Sequence, residues 1–254
     1  MNKPSILSAF IIVYNEQKNI ERCFNSIKWV DEIIVVDSQS TDRTVEICRK
    51  YTNKIFHRPF SNYSDQKNYA LSQVTGTWAL SIDADEELTE PLAEEIRDLL
   101  QSNPKCDAYR IRRFSYIFGR EFRFSGTQDD KPVRLFRKET AQFVQPIHEV
   151  VFIRGSVGEL NGRMNHYTYP DMSGYFLRLD QYTKMESEFM LAKGLRVNLI
   201  DFILRPPAQF FKLYFVKQGF RDGFQGFLFC FFSSWYVFVK YVKYLKLQRH
   251  PQAH

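Results

Sequence analysis

Apolar and polar positions along the first hundred residues alternate between two periods. Ile6–Val13 is an apolar run, the pattern of a parallel strand covered on both faces. Ile20, Cys23, Phe24 and Ile27 then recur at helical spacing, with Asn15 as candidate N-cap. Glu32–Val36 predicts a second strand, followed by a helix capped by Thr41 or Asp42 with Val45 and Cys48 on its apolar face. Lys54–His57, Ser64–Val74 and Thr77–Ile82 predict strand, helix and strand. Thr89 can cap the next helix, with Pro91 in its first turn and Leu92, Ile96, Leu99 and Leu100 on one side. Such alternation predicts an α/β fold with a parallel sheet, whose ligands bind beyond the carboxyl ends of the strands.

After Asp107 the pattern changes. Ala108–Arg113 and Pro132–Arg137 predict strands of mixed polarity, and Phe143–Phe152 another, interrupted by His148-Glu149. The stretch to Asp171 reads as irregular. From Ser173 the chain turns helical, with one break expected at Pro206-Pro207.

Composition sharpens this in one respect. Of 254 residues, 44% are hydrophobic and 25% charged, which excludes disorder and a disulfide scaffold. Aromatic residues reach 16% and the net charge is +6. Neither is spread evenly. Lys193–His254 holds ten Lys/Arg against two Asp, and 16 of the 43 residues from Phe202 to Tyr244 are aromatic. Basic charge among bulky apolar side chains suits an anionic membrane surface rather than a nucleic acid polymer. Gly223–Val239 has no charged residue but includes Gln225, Gly226, Ser233 and Ser234, so an interfacial helix fits it better than a span; packing against the rest of the chain is the other reading. Cys23, Cys48, Cys106 and Cys230 form no Cys-x-x-Cys pair, in keeping with a reducing cytosol.

Polar residues gather where the strands end. Asp83-Ala84-Asp85-Glu86 follows the strand ending at Ile82. Two carboxylates so spaced can approach one hard cation; they can equally form a solvated acidic turn. Asp37 ends its own strand, and a carboxylate there can accept hydrogen bonds from a nucleobase or ribose. His57, His166, His250 and His254 have no ligand spacing and read as structural or solvated, and Arg110, Arg112 and Arg113 as a solvated strand face or an acceptor-phosphate site.

Taken in order, Ile11-Ile12-Val13-Tyr14-Asn15-Glu16, Asp37-Ser38-Gln39-Ser40-Thr41-Asp42-Arg43-Thr44, Gln66-Lys67-Asn68-Tyr69-Ala70 and Asp83-Ala84-Asp85 resemble inverting glycosyltransferase family 2. The later Arg134-Leu135-Phe136-Arg137, His148-Glu149, Arg205-Pro206 and Asp222-Gly223 resemble its lipopolysaccharide- or lipooligosaccharide-core β-1,4-glucosyltransferases. The resemblance implies a GT-A fold, Rossmann-like and mainly parallel, over residues 1–172, with a helical membrane-associating extension over 173–254. It implies that Tyr14, Glu16 and Asp37 contact the nucleotide, Lys67 the diphosphate, and Asp83 the ribose and metal side. Asp85 would bind Mg²⁺ or Mn²⁺. An inverting transfer needs a general base; Glu149 is the first choice and Asp129 and Asp130 the competitors, with His148 placing the acceptor. No Trp follows Arg as in processive synthases. The implied reaction moves a hexose, glucose from UDP-glucose first, onto a lipid-linked oligosaccharide at the inner face of the cytoplasmic membrane. A polyprenyl-phosphate glycosyltransferase and an inert membrane-docked scaffold of the same fold remain as alternatives.

Overall fold

The computed structural model describes residues 7–145, 150–195 and 197–249. The chain forms two compact units: Met1–Arg113 with Asp130–His166, and Phe114–Asp129 with Tyr167–His254.

The first unit opens with β1 (Leu7–Val13), α1 (Ile20–Ile27), β2 (Glu32–Asp37), α2 (Thr44–Cys48), β3 (Ile55–His57), α3 (Tyr63–Gln73) and β4 (Trp78–Ser81). Then come β5 (Glu86–Leu88), α4 (Glu90–Gln101), β6 (Ala108–Ile117), β7 (Arg120–Glu121), β8 (Val133–Arg137), β9 (Ala141–Val144), β10 (Val150–Ile153) and β11 (Val157–Tyr169), of which β7 and the last residues of β6 and β11 belong to the second unit. The main sheet runs β3-β2-β1-β4-β8-β6-β11-β5. Its β3-β2-β1-β4 part is parallel, and β8 joins β4 antiparallel, with Leu135 opposite Leu80.

β2 is buried throughout and β1 at every position but Ile12, which is half-buried. Leu7, Ala9, Ile11 and Val13 meet Ile33 and Val35 in one core, with Ile20, Phe24 and Ile27 of α1 and Leu92 and Ile96 of α4. Phe10, Ile34 and Val36 point to the other side, against Ala70 and Leu71 of α3. Each strand therefore needs apolar side chains on both faces, which is why it reads as a run rather than an alternation.

Three sequence expectations are corrected. Asn15 does not cap α1, which starts at Ile20; it takes a left-handed conformation (φ 55°) that Asn tolerates, and its side chain serves the neighbouring loop. The stretch before Asp171 is not irregular but is mostly the long strand β11; its facing residues Met164, Asn165 and His166 pair with Leu88, Glu87 and Glu86 of β5. Pro206 and Pro207 do not break their helix.

The second unit carries α5 (Met172–Ala192), α6 (Leu199–Phe211) and α7 (Gly223–Arg249). Asn198 and Asp201 form a reciprocal capping box at the start of α6. The interruption comes later, through a π-helical turn over Lys212–Val216 and Gln218 at φ 56°. Among the described residues no helix is long and apolar enough to cross a membrane.

Candidate active site

The carboxyl ends of β1 and β2 are laced together by side chains. Asn15 Oδ1 accepts from the Thr41 backbone N–H at 2.8 Å, and the Asn15 N–H donates to Ser40 Oγ at 3.0 Å. The Glu16 N–H donates to Thr44 Oγ1 at 2.8 Å, and the Gln17 N–H to Asp42 Oδ2 at 3.2 Å. Tyr14 is left exposed beside this junction, while the Glu16 carboxylate accepts from Asn19 Nδ2 at 2.8 Å. The polar run after β2 thus fixes the loop after β1, and Gln17 Oε1 adds a return link by accepting from the Arg43 N–H at 3.1 Å.

Asp37, buried at the end of β2, accepts from the Ser40 N–H at 3.1 Å and lies 3.0 Å from His57 Nδ1. His57 is therefore not merely solvated. Behind this pair, the fully buried Gln66 donates from Nε2 to Ser38 Oγ at 2.9 Å and to the Arg58 carbonyl at 3.0 Å.

The end of β4 carries a ladder of alternating charge. Asp83 Oδ1 lies 2.9 Å from Lys67 Nζ, and Asp83 Oδ2 lies 2.6 Å from Arg134 Nη2. The same Arg134 nitrogen binds Glu86, which is 0% exposed; Glu86 also meets Arg113 Nη1 at 2.8 Å, and Arg113 Nε meets Asp130 at 2.7 Å. The backbone closes the turn: the Glu86 N–H donates to the Asp83 carbonyl at 3.0 Å, and the Asp83 N–H to Glu86 Oε2 at 2.9 Å. Burial by itself would raise the Asp83 pKa, but Arg134 and then Lys67 outweigh it and hold the carboxyl well below the usual carboxylate range. Beneath the turn Cys23 donates to the Asp83 carbonyl; burial, reinforced by Glu86, Asp83 and Asp85, pushes its thiol well up, so it is no nucleophile.

Asp85 is buried, with Oδ1 3.5 Å from His166 Nε2. The register of β11 opposite β5 brings this histidine there. Among the described residues no group of three or more His, Cys, Asp or Glu could by itself hold a metal ion. One carboxylate and one imidazole nevertheless suit Mg²⁺ or Mn²⁺ that takes its remaining ligands from substrate phosphates and water.

The structure thus brings Lys67, Asp83 and Asp85 together, sets Tyr14, Glu16 and Asp37 at the neighbouring strand ends, and ties Asp130 into the ladder. Asp129 belongs to the second unit, where Lys217 Nζ sits 2.8 Å from it. His148 and Glu149 lie outside the described residues. Glu86 and Arg113 are corrections: neither is solvated. Arg134 and His166 also escaped a site role in the sequence. Arg134 left a trace as part of a motif, whereas a lone His in an unpatterned stretch left none.

Charged groups gathered at the carboxyl ends of parallel strands, beside two interlocked strand–helix loops, define an α/β enzyme that takes a charged ligand at that edge. The model of glycosyl transferase family 2 matches residues 8–157, and the chain belongs to that family. It is 30% identical over 252 residues to the lipopolysaccharide core biosynthesis glycosyltransferase LpsC of Rhizobium meliloti, covering 96% of this chain and 93% of LpsC. It is 31% identical to an uncharacterized glycosyltransferase of Rickettsia felis, over 95% of this chain and 89% of that protein. Among solved structures it resembles the mannosyltransferase PcManGT of Pyrobaculum calidifontis, in complex with GDP-Man and Mn²⁺. The TM-score is 0.55 at 15% identity, covering 96% of this chain and 88% of that one. That likeness places the fold among the GT-A enzymes.

Proposed function

We propose that this glycosyltransferase moves a hexose, with inversion, from a UDP-sugar to a hydroxyl of a lipid-linked acceptor. UDP-glucose is the donor of choice, and a heptose of the lipopolysaccharide core the acceptor. The observation that carries the reading is the meeting of Lys67, Asp83, Asp85 and His166 at the end of β4. The name of LpsC supports the acceptor class.

In this reading Tyr14, Glu16 and Asp37 hold the nucleoside. Lys67, oriented by Asp83, faces the diphosphate. Asp85 and His166 would hold a divalent cation, whose contribution would be to neutralise negative charge on the leaving diphosphate. Glu149 serves as the base, with Asp129 and Asp130 as its competitors, and His148 places the acceptor. The lipid-borne acceptor places the reaction at the inner face of the cytoplasmic membrane.

The test is transfer from UDP-glucose to core oligosaccharide that lacks the added sugar, with linkage analysis and a Mn²⁺ titration. Asp85→Asn lowers turnover by about 100-fold or more, as loss of a group stabilising leaving-group charge does. Near-normal turnover of that variant with saturating Mn²⁺ would refute the metal role. Transfer to polyprenyl phosphate instead of the sugar hydroxyl would refute the acceptor.

A further inference from the structure

Helices α6 and α7 run antiparallel. The Phe202 and Phe238 rings are 4.9 Å apart, Ser234 Oγ donates to the Pro206 carbonyl at 2.7 Å, and the Phe210 and Phe227 rings are 5.9 Å apart. Each helix turns an apolar stripe outward. On α6 it runs through Ile200, Leu204 and Phe211, and Phe215 continues it. On α7 it runs through Phe224, Phe227, Phe231, Trp235 and Val242. The steps are three, four or seven residues, so each row keeps to one side of its helix. Phe211 is 58% exposed and Phe224 70%. The rows join at the turn, where the Tyr214 ring lies 5.1 Å from Phe215, 6.2 Å from Phe220 and 5.8 Å from Phe227. A connected row of exposed rings is the kind of apolar patch that marks an interaction surface.

Charge says what covers it. From Phe202 to Arg249 the sequence has eight Lys/Arg and one carboxylate, Asp222. Asp222 is buried, accepting from the backbone N–H groups of Arg123 and Phe124 and from Ser125 Oγ. Arg205, Lys217, Lys240 and Lys243 pair with Asp201, Asp129, Glu186 and Asp180. Of the other four, Arg221 donates to Gln218 Oε1 at 2.8 Å and lies over the Phe124 ring, while Lys212, beside Phe211, and Lys246 and Arg249, which prolong the α7 row beyond Val242 in helical step, are exposed. The stripe is thus apolar in its middle and cationic towards its ends, with no outward carboxylate on α7. A second copy would bring like charges together. A bilayer with anionic headgroups satisfies both halves of the pattern.

We propose that the α6–α7 hairpin is a membrane-docking surface. It lies in the plane of an anionic bilayer, with its aromatic stripe sunk to the headgroup–acyl boundary and Lys212, Lys246 and Arg249 on phosphate. The proposal deepens the function proposed above and rests on it for the lipid-borne acceptor alone.

The experiment is flotation of the full chain with vesicles of phosphatidylethanolamine and phosphatidylglycerol, against vesicles of phosphatidylcholine. The chain floats with the anionic vesicles. The triple substitution Phe211→Ser, Phe215→Ser, Phe224→Ser lowers the partition coefficient by about 100-fold or more, as loss of three apolar insertions requires. Lys212→Gln with Lys246→Gln lowers it by about 25-fold, near fivefold per charge, and only on anionic vesicles. Both variants keep the wild-type circular dichroism spectrum and wild-type transfer to a deacylated, water-soluble acceptor. Absence of wild-type flotation, or unchanged flotation of the triple variant, would overturn the proposal. So would a dimer that the triple substitution dissociates and that does not float. Flotation without any sugar transfer would count against the proposed function and leave the docking surface standing.

Discussion

Arg134 spans the carboxylates at the end of β4, so its removal should be felt in stability before it is felt in chemistry. Arg134→Gln leaves Asp83 with Lys67 alone and Glu86 with Arg113 alone. Taking one partner from a buried ion pair costs about 3–5 kcal/mol, because the remaining charge is left in low dielectric. Asp83 retains some contact with water, its side chain being 29% exposed, which argues for the lower end of that range. With a urea slope of about 3 kcal/mol/M, the unfolding midpoint should fall by about 1 M at neutral pH. The pH dependence carries the sign. The folded pKa of Asp83 is depressed, so its contribution is present above the unfolded value and is lost as pH falls through the folded one. The gap between wild type and variant should therefore be full at neutral pH and narrow only below about pH 4. Urea titrations followed by circular dichroism, at neutral pH and at about pH 3, measure both. A midpoint unchanged at neutral pH, or a gap as wide in acid as at neutrality, would refute the reasoning.

Two further outcomes follow from the same kind of argument. Glu32 is buried, which raises its pKa, but it accepts from Lys54, Ser8 and Thr75, and these bonds pull it down to about 2. Glu32→Gln should lower stability by about 3 kcal/mol near neutrality, the difference fading as pH drops from about 4 towards 2, which thermal melts across that range will show. Gly226→Ala should destabilise although Ala is the better helix former: a Cβ there would sit 2.2 Å from the Gly219 carbonyl oxygen and 2.7 Å from Asp222 Cβ. A melting temperature at or above that of wild type would show that the turn before α7 yields.

What could be read from the sequence was local. β1 and β2 announce themselves as apolar runs because both their faces are covered, and the α1 face of Ile20, Cys23, Phe24 and Ile27 is buried as its spacing requires. Asp83 and Asp85 stand out because two carboxylates two residues apart follow directly on an apolar strand. Glu86 looked like the continuation of an acidic turn. Its burial depends on Arg113 and Arg134, separated from it by 27 and 48 residues, and no local pattern reports such a pairing. His166 was hidden for a related reason: its place beside Asp85 is set by the pairing of β11 with β5, and the polar residues of β11 mask its strand character. Pro206-Pro207 misled in the other direction. Propensity predicts a break there, yet α6 runs through both prolines and packs against α7, so tertiary contact overrides the local rule.

The ladder from Lys67 through Asp83, Arg134, Glu86 and Arg113 to Asp130 sums to no net charge, three cations against three carboxylates. Any single charge-changing replacement within it strands an unmatched ion. A lineage can therefore leave this arrangement only by exchanging members of both signs together. Two-step paths through a one-charge intermediate are opposed by instability, and at Lys67 and Asp83 by lost donor binding as well. A laboratory selection for altered donor choice should accordingly find its substitutions in the loops after β1 and β2, whose links are neutral hydrogen bonds as well as ions, before it finds any in the ladder.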